Sequence, residues 1–147
     1  QRVPRQLACY GRAYDFVTIV VTEKHLAKLL PLLPAWAGVL VASPAGLHVQ
    51  RPARYNATVE RPAVAGLLRL SEIKQFLQAQ GLPDIGLLRR RDILSFLRTT
   101  RLVSLADLAR FVRLQLLGRY DERLLLRAER KAARTQTASR RKRRPKH

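Results

Sequence analysis

The sequence predicts an α/β protein in three parts. These are an α-β-α-β-β arrangement over residues 1–62, a small all-helical module over residues 63–129, and a disordered basic tail over residues 130–147. In the first part, two short apolar runs are typical of buried strands. The first, residues 16–22, is β-branched and almost continuously apolar, which predicts a strand buried on both faces. In the second part, Leu, Arg and Gln recur with a helical period. The tail holds nine basic residues, no acidic residue and no large apolar residue, so it lacks the surface needed to fold alone.

The first part begins with a predicted short helix over residues 2–14, because Leu7, Tyr10 and Tyr14 recur at helical spacing. It continues with a strand over residues 16–22, a helix over residues 23–33 and a second strand over residues 37–43. A turn over residues 43–46, a third strand over residues 47–51 and a loop over residues 52–62 follow. A strand, a helix and a second strand in this order predict a parallel pair with a crossover, and the following hairpin adds an antiparallel edge.

The second part is predicted to be helical throughout. Ser71 is the expected N-cap of its second helix, and Gly81 is the residue type that ends a helix in the left-handed conformation. A second glycine, Gly118, is expected to separate the last two helices. The predicted helices cover residues 62–70, 72–80, 89–99, 105–118 and 121–131.

The composition excludes several classes of protein. No run approaches the ~18 consecutive apolar residues of a membrane span, and the first residues lack the apolar region of a signal peptide. A single cysteine, Cys9, permits no internal disulfide and indicates a reducing compartment. The chain is therefore expected in the cytoplasm, without membrane contact. It lacks methionine and starts at Gln1, which indicates a fragment of a longer protein.

Residues suited to catalysis or to metal binding are sparse. His25 and His48 have no partner at metal-ligand spacing, and Cys9 has no neighbouring histidine to activate it. The string Glu72-Ile73-Lys74 has the form of half of a metal-dependent nuclease site, but its flanks have a helical period. On a helix, residues two apart point about 200° apart and cannot share one metal ion. We therefore expect no metal and no cofactor in this chain.

An ordered series of motifs runs through residues 1–62. It consists of Arg2-x-x-x-Gln6-x-x-x-Tyr10, Asp15-Phe-Val-Thr-Ile-Val-Val-Thr22, His25, Pro34-Ala-Trp36-Ala-Gly38-Val-Leu40 and Arg51-Pro-Ala-Arg54. This series resembles the C-terminal part of an uncharacterised bacterial family in the PD-(D/E)xK restriction-endonuclease-like superfamily. The resemblance implies that residues 1–62 form the back half of a restriction-endonuclease-like core.

The same resemblance implies functional roles. Family members bind Mg²⁺ through carboxylates that would lie upstream of Gln1, so this chain alone is expected to be inactive, whereas a full-length protein would be a metal-dependent deoxyribonuclease. Gln6 and Tyr10 would be auxiliary residues that flank the catalytic site. The alternative is that Gln6 is simply exposed and Tyr10 packs in the core.

The helical half resembles a SAP-type helix–extended–helix module, on Ser71-Glu-Ile-Lys-Gln-Phe-Leu77, Gly81-Leu82, Arg89-Arg-Arg91 and Ile93-Leu94. Such modules place a basic second helix against the DNA backbone. Three arginines at a helix start oppose the helix dipole, which favours an anionic partner there. The expected nucleic-acid contacts are Arg89, Arg90, Arg91, Arg98, Arg101, Arg140, Arg141, Lys142, Arg143 and Arg144.

The chain carries 29 Lys and Arg against 10 Asp and Glu, a net charge of +19, of which residues 1–129 hold +10. This excess favours nucleic acid as the partner, and duplex DNA over RNA. The sequence thus predicts the DNA-binding part of a nuclease-like protein. Two alternatives stay open: an RNA-associated structural protein of ribosomal or tRNA-binding type, and a helical protein-interaction domain. The oligomeric state is not predicted.

Overall fold

The computed structural model describes the backbone of residues 2–142 and the side chains of residues 2–130. The fold is mixed α/β, as predicted, with a three-stranded sheet and six α-helices in the described part. In chain order the elements are α1 (Arg2–Gly11), β1 (Thr18–Thr22), α2 (Glu23–Leu29), β2 (Gly38–Ser43), β3 (Gly46–Arg51), α3 (Arg61–Ala65), α4 (Leu70–Ala79), α5 (Arg90–Thr99) and α6 (Leu105–Lys142). Two 3₁₀ turns, Leu30–Leu32 and Ile85–Leu87, lie after α2 and before α5.

The sheet has the order β1-β2-β3. β1 and β2 are parallel, joined by α2 as a crossover, and Val20 lies beside Leu40. β2 and β3 are antiparallel, and Leu40 lies beside Val49. The hairpin between them turns at Gly46, whose φ of 126° is accessible mainly to glycine. The parallel pair and the antiparallel edge are therefore confirmed.

One face of the sheet packs against helices. Its core consists of Leu7 from α1, Leu33, Ala37, and the inward residues of β1 and β2, which are Val21, Val39 and Val41. The prediction that β1 is buried on both faces is wrong, because Val20 points to the opposite face and is exposed. Nothing in residues 2–130 covers that side of β1, so an unbroken apolar run does not here mean two covered faces.

A buried amide joins the end of α1 to the loop after the sheet. Asn56 is fully buried, and its Nδ2 donates hydrogen bonds to the carbonyls of Gly11 and Tyr14. Its Oδ1 accepts hydrogen bonds from the backbone N–H and the hydroxyl of Thr58. Gly11 has no room for a side chain, since a Cβ there would lie 2.8 Å from the Trp36 ring. The amide therefore fixes the path of the chain between the sheet and α3.

The helical half packs around Ile73 and Leu77 of α4 and Ile93 and Leu97 of α5, all of which are buried. Both helices start with an arginine as N-cap, not with the predicted Ser71 in the case of α4. The backbone N–H of Arg69 donates to the Glu72 carboxylate, and that of Arg89 donates to Asp92. A carboxylate at the third helical position thus satisfies the first orphan donor of each helix.

The last helix is longer than predicted. α6 runs without a break through Gly118, because one glycine costs only about 1 kcal/mol relative to alanine and its neighbours are good helix formers. Its backbone is helical as far as Lys142, over positions where the sequence predicts disorder, and the remainder of that prediction lies outside the described residues. By contacts the chain divides into residues 1–109 and residues 110–147. The sequence predicts no membrane-spanning segment, and none of the described helices is long and apolar enough to cross a bilayer.

Candidate nucleic-acid interface

Two arginines hold α5 in place from the inside. The guanidinium of Arg90 donates to the carbonyls of Leu68 and Gly66, at 3.0 and 2.7 Å. At the other end of α5, the guanidinium of Arg61 donates to the carbonyls of Leu97 and Val103, at 3.3 and 3.2 Å. These bonds satisfy backbone oxygens at helix ends that would otherwise lack partners. The helix is therefore anchored at both termini.

The outward side of the same helix is basic. Ser95 and Arg98 follow Arg91 by four and seven residues, so the three lie on one face of α5. All three are exposed. The two guanidinium-bearing positions are separated by about 10 Å along the helix axis. Arg101 is exposed in the turn that follows α5. We call Arg91, Ser95, Arg98 and Arg101 the α5 face.

The α5 face is weakly neutralised within the protein. Arg91 lies 3.4 Å from Asp92, and both side chains are largely exposed. Among the described residues, no protein acceptor forms a hydrogen bond with the guanidinium of Arg98 or Arg101. An exposed arginine that the fold does not use is available to an anion outside the chain, and its fork of donors suits a phosphate.

The predicted nucleic-acid residues thus occupy different positions. Arg91, Arg98 and Arg101 lie on the α5 face, Arg89 is exposed at its start, and Arg90 points inward to the carbonyls named above. The side chains of the predicted tail residues lie outside the described residues; they are Arg140, Arg141, Lys142, Arg143 and Arg144. The sequence prediction treated Arg89, Arg90 and Arg91 alike. Successive residues of a helix point in different directions, however, so only the structure shows that Arg90 faces the protein and its two neighbours do not.

A cleft of about 410 Å³ lies between α1, α3 and α5. Arg98 lines it together with Tyr10 and Tyr14, whose rings meet edge to face with centroids 6.2 Å apart. The predicted auxiliary residue Tyr10 is therefore half-exposed at this cleft, whereas Gln6 is exposed and does not line it. No sequence pattern indicates that these residues meet, because the tyrosines and Arg98 are far apart along the chain.

A carboxylate beside the cleft is held by Arg12. The guanidinium of Arg12 donates to both oxygens of Glu60, at 3.0 and 2.9 Å. These hydrogen bonds lower the pKa of Glu60 below its ordinary value; desolvation opposes the shift, and the positive charges of Arg12 and Arg98 add to it. The same hydrogen bonds raise the pKa of Arg12. The pair is about half exposed, so its contribution to stability is small.

The lowered pKa of Glu60 gives a stability contribution that is present at neutral pH and is lost as the pH falls through the folded-state pKa. We expect Glu60→Gln to be slightly less stable than the native chain at neutral pH, with the difference closing in acid. Urea unfolding at several pH values measures this. A difference that grows toward low pH would contradict it.

Metal-site geometry is not found in the described part of the chain. No three or more His, Cys, Asp or Glu side chains of residues 2–130 come together in a way that could hold a metal ion. Glu72 and Lys74 lie on α4, as predicted, and the Lys74 ammonium donates to the carbonyl of Gly86. The prediction that this string lies on a helix is therefore confirmed.

Comparison with known families decides the relationship. The family described as bacteriophage P4 protein cII matches residues 1–141, nearly the whole chain. The chain belongs to the bacteriophage P4 cII protein family. Searches of the curated proteins and of the solved structures returned no match.

Membership of the P4 cII family overturns the resemblance to PD-(D/E)xK nucleases. The assignment as the DNA-binding part of a nuclease-like protein is therefore wrong. Its motifs were signals of local structure: Gln6 and Tyr10 stand one helical turn apart on α1, and the apolar runs form strands. Unrelated families share such signals, because a fold element does not imply a function. The auxiliary role of Gln6 and Tyr10, and the Mg²⁺ of a full-length nuclease, lose their basis.

Proposed function

We propose that this P4 cII-family chain binds duplex DNA through phosphate contacts from the α5 face. The observation that supports the proposal most directly is the division of arginines on one helix. Arg90, together with Arg61 from α3, holds α5 by hydrogen bonds to backbone carbonyls, whereas Arg91 and Arg98 point outward on one side. A rigid helix that presents exposed arginines on one side, only weakly paired with Asp92 and Glu60, is suited to phosphate contacts.

The distribution of charge supports the same partner. Residues 1–109 carry 15 Lys and Arg against 7 Asp and Glu, and residues 110–147 carry 14 against 3. Both units are thus basic, and phosphate neutralisation by such surfaces gives binding that does not depend on base sequence. On α6, three exposed arginines recur on one stripe at Arg123, Arg127 and Arg130. They would offer phosphate contacts of their own.

Duplex DNA is the favoured form of nucleic acid. The α5 face contains arginine and serine but no aromatic side chain, and the two tyrosines that share a cleft with Arg98 pack against each other edge to face. The face itself is therefore suited to phosphates and not to the stacking of unpaired bases. Arginines about 10 Å apart along a helix axis can each reach a different phosphate of the backbone. Contacts of this kind recognise the backbone and not the bases.

The test removes three charges from the α5 face. In Arg91→Gln/Arg98→Gln/Arg101→Gln we expect weaker binding to a short duplex, because three phosphate contacts are lost. The slope of log affinity against log salt should fall by about 2.7, at roughly 0.9 for each contact. Fluorescence anisotropy over a salt series, on the full chain, measures both quantities.

A matched control removes the same charge elsewhere. Lys24→Gln/Lys28→Gln/Arg54→Gln changes three exposed cations of the α/β half and leaves the α5 face intact. We expect its salt slope to stay close to that of the native chain. Equal losses in the two triple variants would show that net charge alone drives binding and would overturn this interface. Tighter binding to duplex RNA than to duplex DNA would overturn the proposed partner.

A further inference from the structure

The side of the sheet opposite the helices carries an exposed apolar surface. Register places Val20, Leu40 and Val49 in one row across the three strands. Val20 is 58 % exposed, and Leu47 and Val49 are 64 % exposed. We call this surface the outer face; Phe16 and Tyr55 border it and are exposed by 60 % and 65 %.

The border residues belong to the same surface. Phe16 lies four residues before Val20, so an extended chain places both side chains on the same side. The ring of Phe16 meets that of Tyr55 edge to face, with centroids 6.2 Å apart. A Cβ on Gly38 would lie 2.8 Å from the backbone nitrogen of Ala53, so the segment leading to Tyr55 crosses the sheet at that end. The outer face therefore runs from the two aromatic rings to Leu47, and its only cover within residues 2–130 is at the Gly38 end.

A bare face is unusual for strands of this kind. Parallel strands occur almost always in sheets with both faces covered, and β1 and β2 are parallel. Exposed apolar area costs about 25 cal/mol per Å² relative to burial, and large apolar patches mark interaction sites. The row of Val20, Leu40 and Val49 thus indicates a surface that is covered in the working protein.

Charge points to the identity of the cover. The side chains that register places on the outer face are all uncharged: Thr18, Val20, Thr22, Leu40, Ala42, Leu47 and Val49. The chain as a whole carries a net charge of +19, so two copies repel one another wherever their basic surfaces meet. The outer face is a surface on which two copies can approach without opposing like charges at its centre.

We propose that two copies of this chain form a dimer by packing their outer faces together, sheet against sheet. One surface that is apolar and uncharged can serve both copies, as the twofold symmetry of most homodimers requires. The large apolar side chains of the outer face expose on the order of 500 Å² per copy; with a polar rim this approaches the roughly 800 Å² per partner of a standard interface. The proposal does not depend on DNA binding.

The experiment compares Val49→Lys with the native chain by sedimentation equilibrium, at moderate salt and without nucleic acid. We expect the native chain to be a dimer. A lysine on the outer face of β3 places an unpaired charge inside the proposed interface of each copy. It should raise the dimer dissociation constant by about tenfold or more, as for interface residues that bury a large apolar side chain.

The matched control is Leu87→Lys, which introduces the same side chain at an exposed position far along the chain from the strands. We expect this variant to dimerise like the native chain. Circular dichroism and thermal unfolding verify that both variants are folded. A native chain that is monomeric at high micromolar concentration would overturn the proposal. A dimer that survives in Val49→Lys would also overturn it and would direct attention to the exposed leucines of α6.

Discussion

Replacing Asn56 with alanine is expected to lower the free energy of unfolding by about 3 kcal/mol. The carboxamide is fully buried and makes four hydrogen bonds, two as donor and two as acceptor. Its removal leaves the carbonyls of Gly11 and Tyr14 without these donors at a fully buried position. A buried polar group that loses its partner costs about 1–3 kcal/mol, so several such groups give a large effect.

Urea unfolding followed by circular dichroism measures the change. Gln50→Ala is the matched control, because Gln50 is an exposed carboxamide on β3 and its truncation should change stability by less than about 0.5 kcal/mol. Asn56→Asp should be at least as destabilised as Asn56→Ala at neutral pH, since it keeps the acceptor for Thr58 but buries a carboxylate oxygen against the carbonyls of Gly11 and Tyr14. If Asn56→Ala proves as stable as the control, the amide does not hold the junction between α1 and α3.

Replacing Arg90 with alanine is expected to lower the free energy of unfolding by about 2 kcal/mol and to leave the salt slope of DNA binding unchanged. The loss of two charge-assisted hydrogen bonds, to the carbonyls of Leu68 and Gly66, accounts for the first effect. The second follows because the guanidinium is turned toward the protein.

Arg91→Ala gives the opposite expectation at the next position along the chain. Its side chain is largely exposed, so stability should change by less than about 0.5 kcal/mol, whereas the salt slope should fall by about 0.9. Unfolding and anisotropy measurements on both variants form a complete comparison. A lower slope with unchanged stability in Arg90→Ala would identify Arg90 as a phosphate ligand and would contradict its anchoring role.

Periodic patterns predicted the elements well. The apolar runs gave β1 and β2, the helical stripe from Leu26 gave α2, and the residue types around Gly46 gave the hairpin. These elements depend on local spacing, which a sequence shows directly. Local spacing was also the origin of the incorrect nuclease assignment, because a Gln–Tyr pair one turn apart marks a helix face and not a reaction.

Features that depend on tertiary contacts escaped prediction. Arg90 was grouped with Arg91 because the two are adjacent, and only the carbonyl groups of the α3–α4 connection distinguish them. Tyr10 and Arg98 meet at one cleft through packing of α1 against the helical half. Val20 is exposed because no layer covers its side of the sheet within the described residues, and the sequence of β1 does not indicate whether such a layer exists.

The inward arginines have a consequence for how the chain tolerates lysine. A guanidinium reaches two carbonyl oxygens at once because its N–H groups diverge from a rigid plane, and an ammonium on a flexible stem does not reproduce that geometry. Arg61 and Arg90 each hold two carbonyls in this way. Lysine keeps the positive charge that the proposed phosphate contacts need, so Arg98→Lys and Arg101→Lys should lose little affinity for DNA. Positions 61 and 90 therefore require the shape of an arginine side chain, whereas the proposed role of positions 98 and 101 requires only a positive charge.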